Sequence, residues 1–186
     1  MKKFLTLKHC LGCAAALFGL LVFVFSFITS LSSYDAGGNL QGTYNGIIWG
    51  AKSMTMGGVT VEIPEAARFG ALALPLIGSI VALVAGIAVC VFAFVCPEKK
   101  VFFWVAAALL IAAAVVIALV PLFGFNKMAE QQYNVMKQLN PDITLDAVKE
   151  AMKKSGGSLK STMSVVSAVL AALAGVSGCV ASFVKK

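Results

Sequence analysis

Hydrophobic and polar positions in this chain fall into long blocks. Residues 11–31, 69–96, 101–125 and 161–184 form four runs without a charged side chain. A bilayer core of about 30 Å needs about 20 helical residues at 1.5 Å each, so each run predicts a membrane-spanning helix. Only Pro97-Glu98-Lys99-Lys100 separates the second run from the third, which makes those helices an antiparallel hairpin. Two polar segments, 32–68 and 126–160, then emerge on the opposite side. Pro75 and Pro121 lie near that side of two spans, where proline is expected to kink a helix. The expected fold is an integral membrane protein, mainly α. A single four-span domain over residues 1–186 forms a four-helix transmembrane bundle with a small extracytoplasmic β-sheet and short amphipathic helices.

Inside the first polar segment the period changes to two. Ser53-Met54-Thr55-Met56 and Val59-Thr60-Val61-Glu62-Ile63 flank Gly57-Gly58, the pattern of a β-hairpin whose two-residue turn needs φ > 0. Pairing Met56 with Val59 and Met54 with Val61 sets all four on one face with Ile63. Residues 42–49 offer a third strand with Tyr44, Ile47 and Trp49 as its bulky members. A lone hairpin is marginal in water, so the apolar face is expected to lie on helix ends or on a partner protein. In the second polar segment, Asn140-Pro141-Asp142 reads as a helix start capped by Asp142, and Leu145, Val148 and Met152 share one face of that helix. Glu150 and Lys154 stand at the favourable i, i+4 spacing, and Gly156-Gly157 ends the helix. Met128, Val135, Met136 and Leu139 extend the third span as an earlier helix. The two helices make a lid beside the sheet, with a peptide or lipid groove as a further reading.

Composition confirms the solvent. The chain is 60% hydrophobic and 12% charged, against about 25% charged in soluble domains. A water-soluble domain, a disordered chain, collagen-like repetition and a disulfide-dense secreted scaffold are thereby excluded. No Asp, Glu, Lys, Arg or His lies within any of the four runs, which argues against a pump or proton-coupled carrier. Lys2, Lys3, Lys8, Lys99, Lys100, Lys185 and Lys186 crowd the side of the termini and the short turn, so both termini are expected in the cytoplasm. The first run is longer than a signal-peptide core and lacks an Ala-x-Ala site, so it reads as an uncleaved anchor. The net charge of +7 lies beside the bilayer, where it serves topology and headgroups and not nucleic acid.

The second and fourth runs echo each other. Residues 78–95 laid over 167–184 match at Ala82/Ala171, Ala85/Ala174, Gly86/Gly175, Cys90/Cys179, Val91/Val180, Phe94/Phe183 and Val95/Val184. The first and third agree through Ala14-Ala15-Ala16 with Ala112-Ala113-Ala114. A duplicated two-helix unit is one reading, and biased apolar composition is the other. Gly78, Ala82, Gly86 and Cys90, like Ser167, Ala171, Gly175 and Cys179, recur every four residues and form stripes of small side chains. Such stripes let helices approach closely in lipid, either within the chain or in a homo-oligomer.

Catalytic chemistry is sparse. The chain has one histidine, His9, so no histidine pair, zinc-protease pattern or Ser-His-Asp set can be assembled from one copy. Five cysteines fall at the cytoplasmic ends of spans, and none lies in an outer segment to form a disulfide there. Cys10, Cys13 and Cys96 with His9 can be drawn as a metal or redox site, or the three cysteines as acylation sites. Cysteine is also a small residue that packs well between helices, and that reading leaves the protein with no metal and no cofactor.

The order of elements resembles the claudin-type four-span proteins: a first outer segment with a small sheet and a tryptophan, a short inner turn, and a second outer segment extending helically from the third span. Pro64-Glu65-Ala66-Ala67-Arg68 also looks like the exit of the claudin loop. Claudins carry Gly-Leu-Trp and then two disulfide-forming cysteines, whereas Gly46-Ile47-Ile48-Trp49 is followed by none. The resemblance therefore implies architecture and not paracellular sealing. A lysine-rich, arginine-poor chain that begins Met-Lys-Lys and lacks any Asn-x-Ser/Thr sequon points to a bacterial cell membrane. The expected function is non-enzymatic: a structural, adhesion-like or accessory membrane protein with a compact outer cap formed by Trp49, Met54, Met56, Val59, Val61 and Ile63. The alternative is a small transport or channel component for a neutral solute.

Overall fold

The fold, from a computed structural model, describes residues 7–65, 68, 70–154 and 157–184. Lys2, Lys3, Ala66, Ala67, Phe69, Gly156, Lys185 and Lys186, all used in the sequence reading, lie outside the described residues. Among the described residues, four helices are long and apolar enough to cross a membrane: α1 (Leu7–Ile28), α2 (Ala73–Val95), α3 (Lys100–Ala118) and α6 (Thr162–Phe183). Between them lie β1 (Leu31–Tyr34), β2 (Leu40–Asn45), β3 (Ser53–Met56), β4 (Val59–Glu62), α4 (Val120–Leu139), α5 (Leu145–Lys154) and β5 (Ser158–Lys160). The chain is a four-span helical membrane protein with an open β-sheet, and it divides into two units.

The first unit is the bundle. Along α1 the buried positions are Lys8, Gly12, Ala15, Gly19, Val22 and Ser26, alternating steps of four and three. That 3.5-residue period keeps one face on a neighbouring antiparallel helix. Similar spacing runs through Phe103, Ala106, Leu110, Ala113 and Ile117 of α3, and through Ser164, Ser167, Ala171, Ala174, Gly178 and Ala181 of α6. The four-residue stripes expected from sequence follow this seam only in part. Gly78, Ala82 and Gly86 are buried but Cys90 is half-buried, and Ser167, Ala171 and Gly175 are buried but Cys179 is half-buried. Each step of four overshoots a 3.6-residue turn by about 40°, so the fourth member has rotated off the seam. Three hydroxyls inside the bundle return to their own helix: Ser26 donates to the Phe23 carbonyl, Ser79 to Leu76 and Ser182 to Cys179.

The prolines correct the expected kinks. α2 starts at Ala73, so Pro75 falls in its first turn, where the missing N–H has no helical partner to lose. α3 stops at Ala118, and α4 restarts with Pro121 in its first turn. The ring would clash with the Ile117 carbonyl in a continuous helix, which explains why the third run is two helices and not one kinked span.

The second unit is built on an antiparallel sheet in the order β4-β3-β2-β1-β5. Its hairpin has the expected register, Met54 opposite Val61 and Met56 opposite Val59, with Gly57 at φ 56° and Gly58 at φ 84°. The third strand is shorter than expected. β2 ends at Asn45, Gly46 adopts φ 67°, and Ile47–Trp49 form a 3-10 turn. That turn is held because Ile47 N–H donates to the Thr29 carbonyl and Leu72 N–H to the Ile48 carbonyl. Leu31, assigned from sequence to the first span, opens β1 and is fully buried with Ile47 and Ile48. β5 pairs Leu159 with Ser33, so both polar segments contribute to one sheet. α5 also starts later than expected. The Thr144 hydroxyl accepts from Ala147 N–H and is the N-cap, while Asp142 N–H is turned back onto the Asn140 side chain.

Candidate functional site

The sheet has two chemically different faces. On one, Ser32 and Thr43 hydroxyls bond at 3.0 Å, Thr55 and Thr60 at 2.9 Å, and the Asn45 amide donates to Thr55 at 3.2 Å. Alternation places Tyr44, Met54, Met56, Val59 and Val61 on the other face. Burial falls steeply across it. Leu31 is buried and Tyr44 and Met54 are half-buried, yet Met56, Val61 and Val59 are 48%, 45% and 64% exposed. Ile63 is buried just beyond β4, and Trp49 stacks on Phe27 at 4.5 Å between ring centroids. The expectation that helix ends cover the apolar hairpin face therefore fails at its outer half. The reason is geometric: β4 is the sheet's edge, separated by two strands from β1, where Leu31 is anchored.

On the other side of the sheet order, β1 and β5 meet α4 and α5 around a cavity of about 280 Å³. Tyr34, Asp35, Gln41, Met128, Gln132 and Met152 are among its lining residues. A second hollow of about 300 Å³ lies between α4 and α5 and shares Gln132 and Met152. Asp35 accepts from Asn39 N–H at 2.8 Å and from the Gln41 amide at 3.0 Å. The Asn39 backbone bond is the largest influence holding its carboxyl below the usual range. Burial pushes the Tyr44 phenol up. Lys160 rests its ammonium 4.9 Å from the Tyr34 ring centroid.

The cysteines do not assemble as drawn from sequence. Cys13 lies 3.9 Å from Cys90, sulfur to sulfur. All five thiols are free, and no cluster of three or more His, Cys, Asp or Glu side chains forms among the described residues. His9 stacks on Phe94 at 4.4 Å. The residue that sequence reading missed is Lys8. It is only 6% exposed, donates to the Pro97 carbonyl, and lies 5.3 Å from the Phe103 ring centroid. Carbonyl and ring together offset the cost of desolvating an ammonium, and they pin the start of α1 to the α2–α3 turn. Its signal was present in the periodicity, since Lys8 precedes Gly12, Ala15 and Gly19 on the same face.

These features define a multi-pass membrane protein with a two-faced sheet and a helix-lined cavity. Comparison with protein-family models, with curated proteins and with solved structures finds no match.

Proposed function

We propose that the chain is a non-enzymatic membrane scaffold that docks a partner protein through the exposed half of the hairpin's apolar face, with both termini cytoplasmic. The observation that carries this reading is the step in burial from Leu31 and Ile63 to Met56, Val59 and Val61. Fully burying one such side chain is worth roughly 1.5–3 kcal/mol, so a partner that covers all three gains a substantial hydrophobic anchor. β4 is also the sheet's edge among the described residues, and a strand added there would contribute directional hydrogen bonds to that anchor. Phe103, Leu110, Ile117, Val22 and Val89 fill the bundle interior, which favours a scaffold over a neutral-solute pathway through one chain. The claudin-like order of elements agrees with an adhesion or accessory role, and the missing loop cysteines keep sealing out of the proposal.

A photo-crosslinker placed at Val59 in native membranes should trap one defined protein, and one at Thr60, on the polar face, should not. Val61→Lys should abolish the adduct while leaving the melting temperature unchanged. Equal trapping from both faces would sink the proposal.

A further inference from the structure

The bundle carries a second surface feature, a groove of about 530 Å³ between α2 and α3. Its floor is small and covered: Ala85 and Ala106 are buried and Ala88 is half-buried. Its walls, including Val84 and Val105, are exposed. The lining is almost wholly apolar and runs from Ile80 to Phe92, about 18 Å of helix, close to the depth of one leaflet. At the turn end, Phe92 stacks on Phe102 at 4.9 Å, and the Lys99 ammonium lies 5.7 Å from the Phe102 ring centroid. The groove therefore ends under a cation, with Lys100 next to it opening α3. Glu98 is the one acid in that turn, which keeps a net positive charge. Lys8 is engaged by Pro97 and Phe103.

We propose that this groove holds an acyl chain of an anionic phospholipid, with the lipid phosphate at Lys99 and Lys100. The length fits a chain from one leaflet, and the charge distinguishes lipid from a helix of a second copy. α1, α2, α3 and α6 contain no Asp or Glu, so a span of another copy would bring no anion to the lysines. A phosphate supplies that anion where a long lysine stem can reach it from the bilayer edge.

The test uses the full chain reconstituted in vesicles of equal phosphatidylglycerol and phosphatidylcholine, then released into mild detergent for native mass spectrometry. One phospholipid should stay bound, with phosphatidylglycerol favoured about fivefold, the effect of one net lysine near a phosphate. Lys99→Ala with Lys100→Ala should erase the preference but keep a lipid bound. Ala88→Phe should expel both lipids, whereas Val115→Phe, at an exposed site outside the groove lining, should expel neither. If Ala88→Phe does not fold, Val84→Trp on the exposed wall serves in its place. Equal retention of the two lipids by the native chain overturns the proposal. So does undiminished binding in the groove-filling variant, or a dimer crosslinked through Val84→Cys.

Discussion

The two glycine seams of the bundle look alike in sequence and work differently in three dimensions. Between α1 and α2, both helices contribute glycine. A Cβ on Gly19 would stand 2.5 Å from the Ala82 carbonyl oxygen, and one on Gly86 would stand 2.7 Å from the Ala15 carbonyl oxygen. Between α3 and α6, glycine comes from one side. A Cβ on Gly175 would meet the Ile111 side chain at 3.0 Å before the Ala107 carbonyl at 3.3 Å. The first seam is backbone against backbone, and the second is a side chain resting in a notch. Lipid gives helices no hydrophobic reason to pair, so closeness of approach sets how much dispersion each seam collects. Matching residues thus do not guarantee matching mechanics.

The largest effect should follow from adding one methyl to the tighter seam. Gly86→Ala forces α1 away, because a carbonyl in a helix cannot rotate aside. A loss of about 2–3 kcal/mol is expected, toward the upper part of the overpacking range. Gly19→Ala should behave alike, and the double variant should lose less than the sum because one separation of the helices relieves both clashes. Unfolding in graded denaturing detergent reads the effect. Loss of copper-phenanthroline oxidation at Cys13 and Cys90, whose sulfurs are 3.9 Å apart, reports the separation directly. A Gly86→Ala protein as stable as the native chain would make the two seams equivalent and remove the distinction.

A smaller effect is expected at the equivalent position in the other pair. Gly175→Ala presses first on Ile111 Cγ1, a side-chain atom that needs to give by only a few tenths of an ångström, so a loss of about 1 kcal/mol, at the low end for overpacking, should result. Ile111→Ala removes the contacting Cγ1 and should restore most of the loss, and no comparable second-site change should rescue Gly86→Ala. Rescue at Gly86 by trimming a side chain would mean that its seam, too, is governed by side chains.

Much of this was readable in the chain because the governing constraints are local or bilayer-sized. Charge exclusion over four runs located the spans, and Gly57-Gly58 set the hairpin and its register. β1 and β5 were not readable, since Leu31-Ser32-Ser33-Tyr34 and Ser158-Leu159-Lys160 are too short to carry a period and are strands only through tertiary pairing, β1 with β2 and β5, and β5 with β1. Gly12, Ala15 and Gly19 belong to a seam built on alternating steps of three and four, which a pattern of four-residue steps does not reveal. The alanine echo was misplaced for a related reason. Gly86 faces the Ala15 carbonyl and Gly175 faces that of Ala107, so the counterpart of Ala14-Ala15-Ala16 in packing is Ala106-Ala107-Ala108 and not residues 112–114. Two alanine triplets on one helix leave the choice to tertiary register. Likewise, Cys13 finds Cys90 only once α1 and α2 are aligned, and the hairpin's exposed half depends on where the sheet ends.

The smallest effects should come from the aligned pair Gly78 and Ser167, and both should be gains. A Cβ at Gly78 would meet Ile117 and Val116 side-chain atoms at 3.5 Å and the Ala113 carbonyl at 3.6 Å, which is ordinary contact. Gly78→Ala should therefore keep its helix-propensity benefit, about 0.5–1 kcal/mol. Ser167 is buried, and its hydroxyl has no hydrogen-bond partner among the described residues. Removing an unsatisfied buried hydroxyl recovers part of a desolvation cost of about 1–3 kcal/mol, so Ser167→Ala should also stabilise. Alanine at both positions gives the second and fourth spans one more identity, and detergent unfolding should show it as a rise in stability. The same exchange at Gly86 should lower it. Destabilisation by Gly78→Ala would mean that α2 and α3 approach more closely than their side chains allow. The graded order from Gly86 through Gly175 to Gly78, which rests on what each new methyl meets, would then collapse.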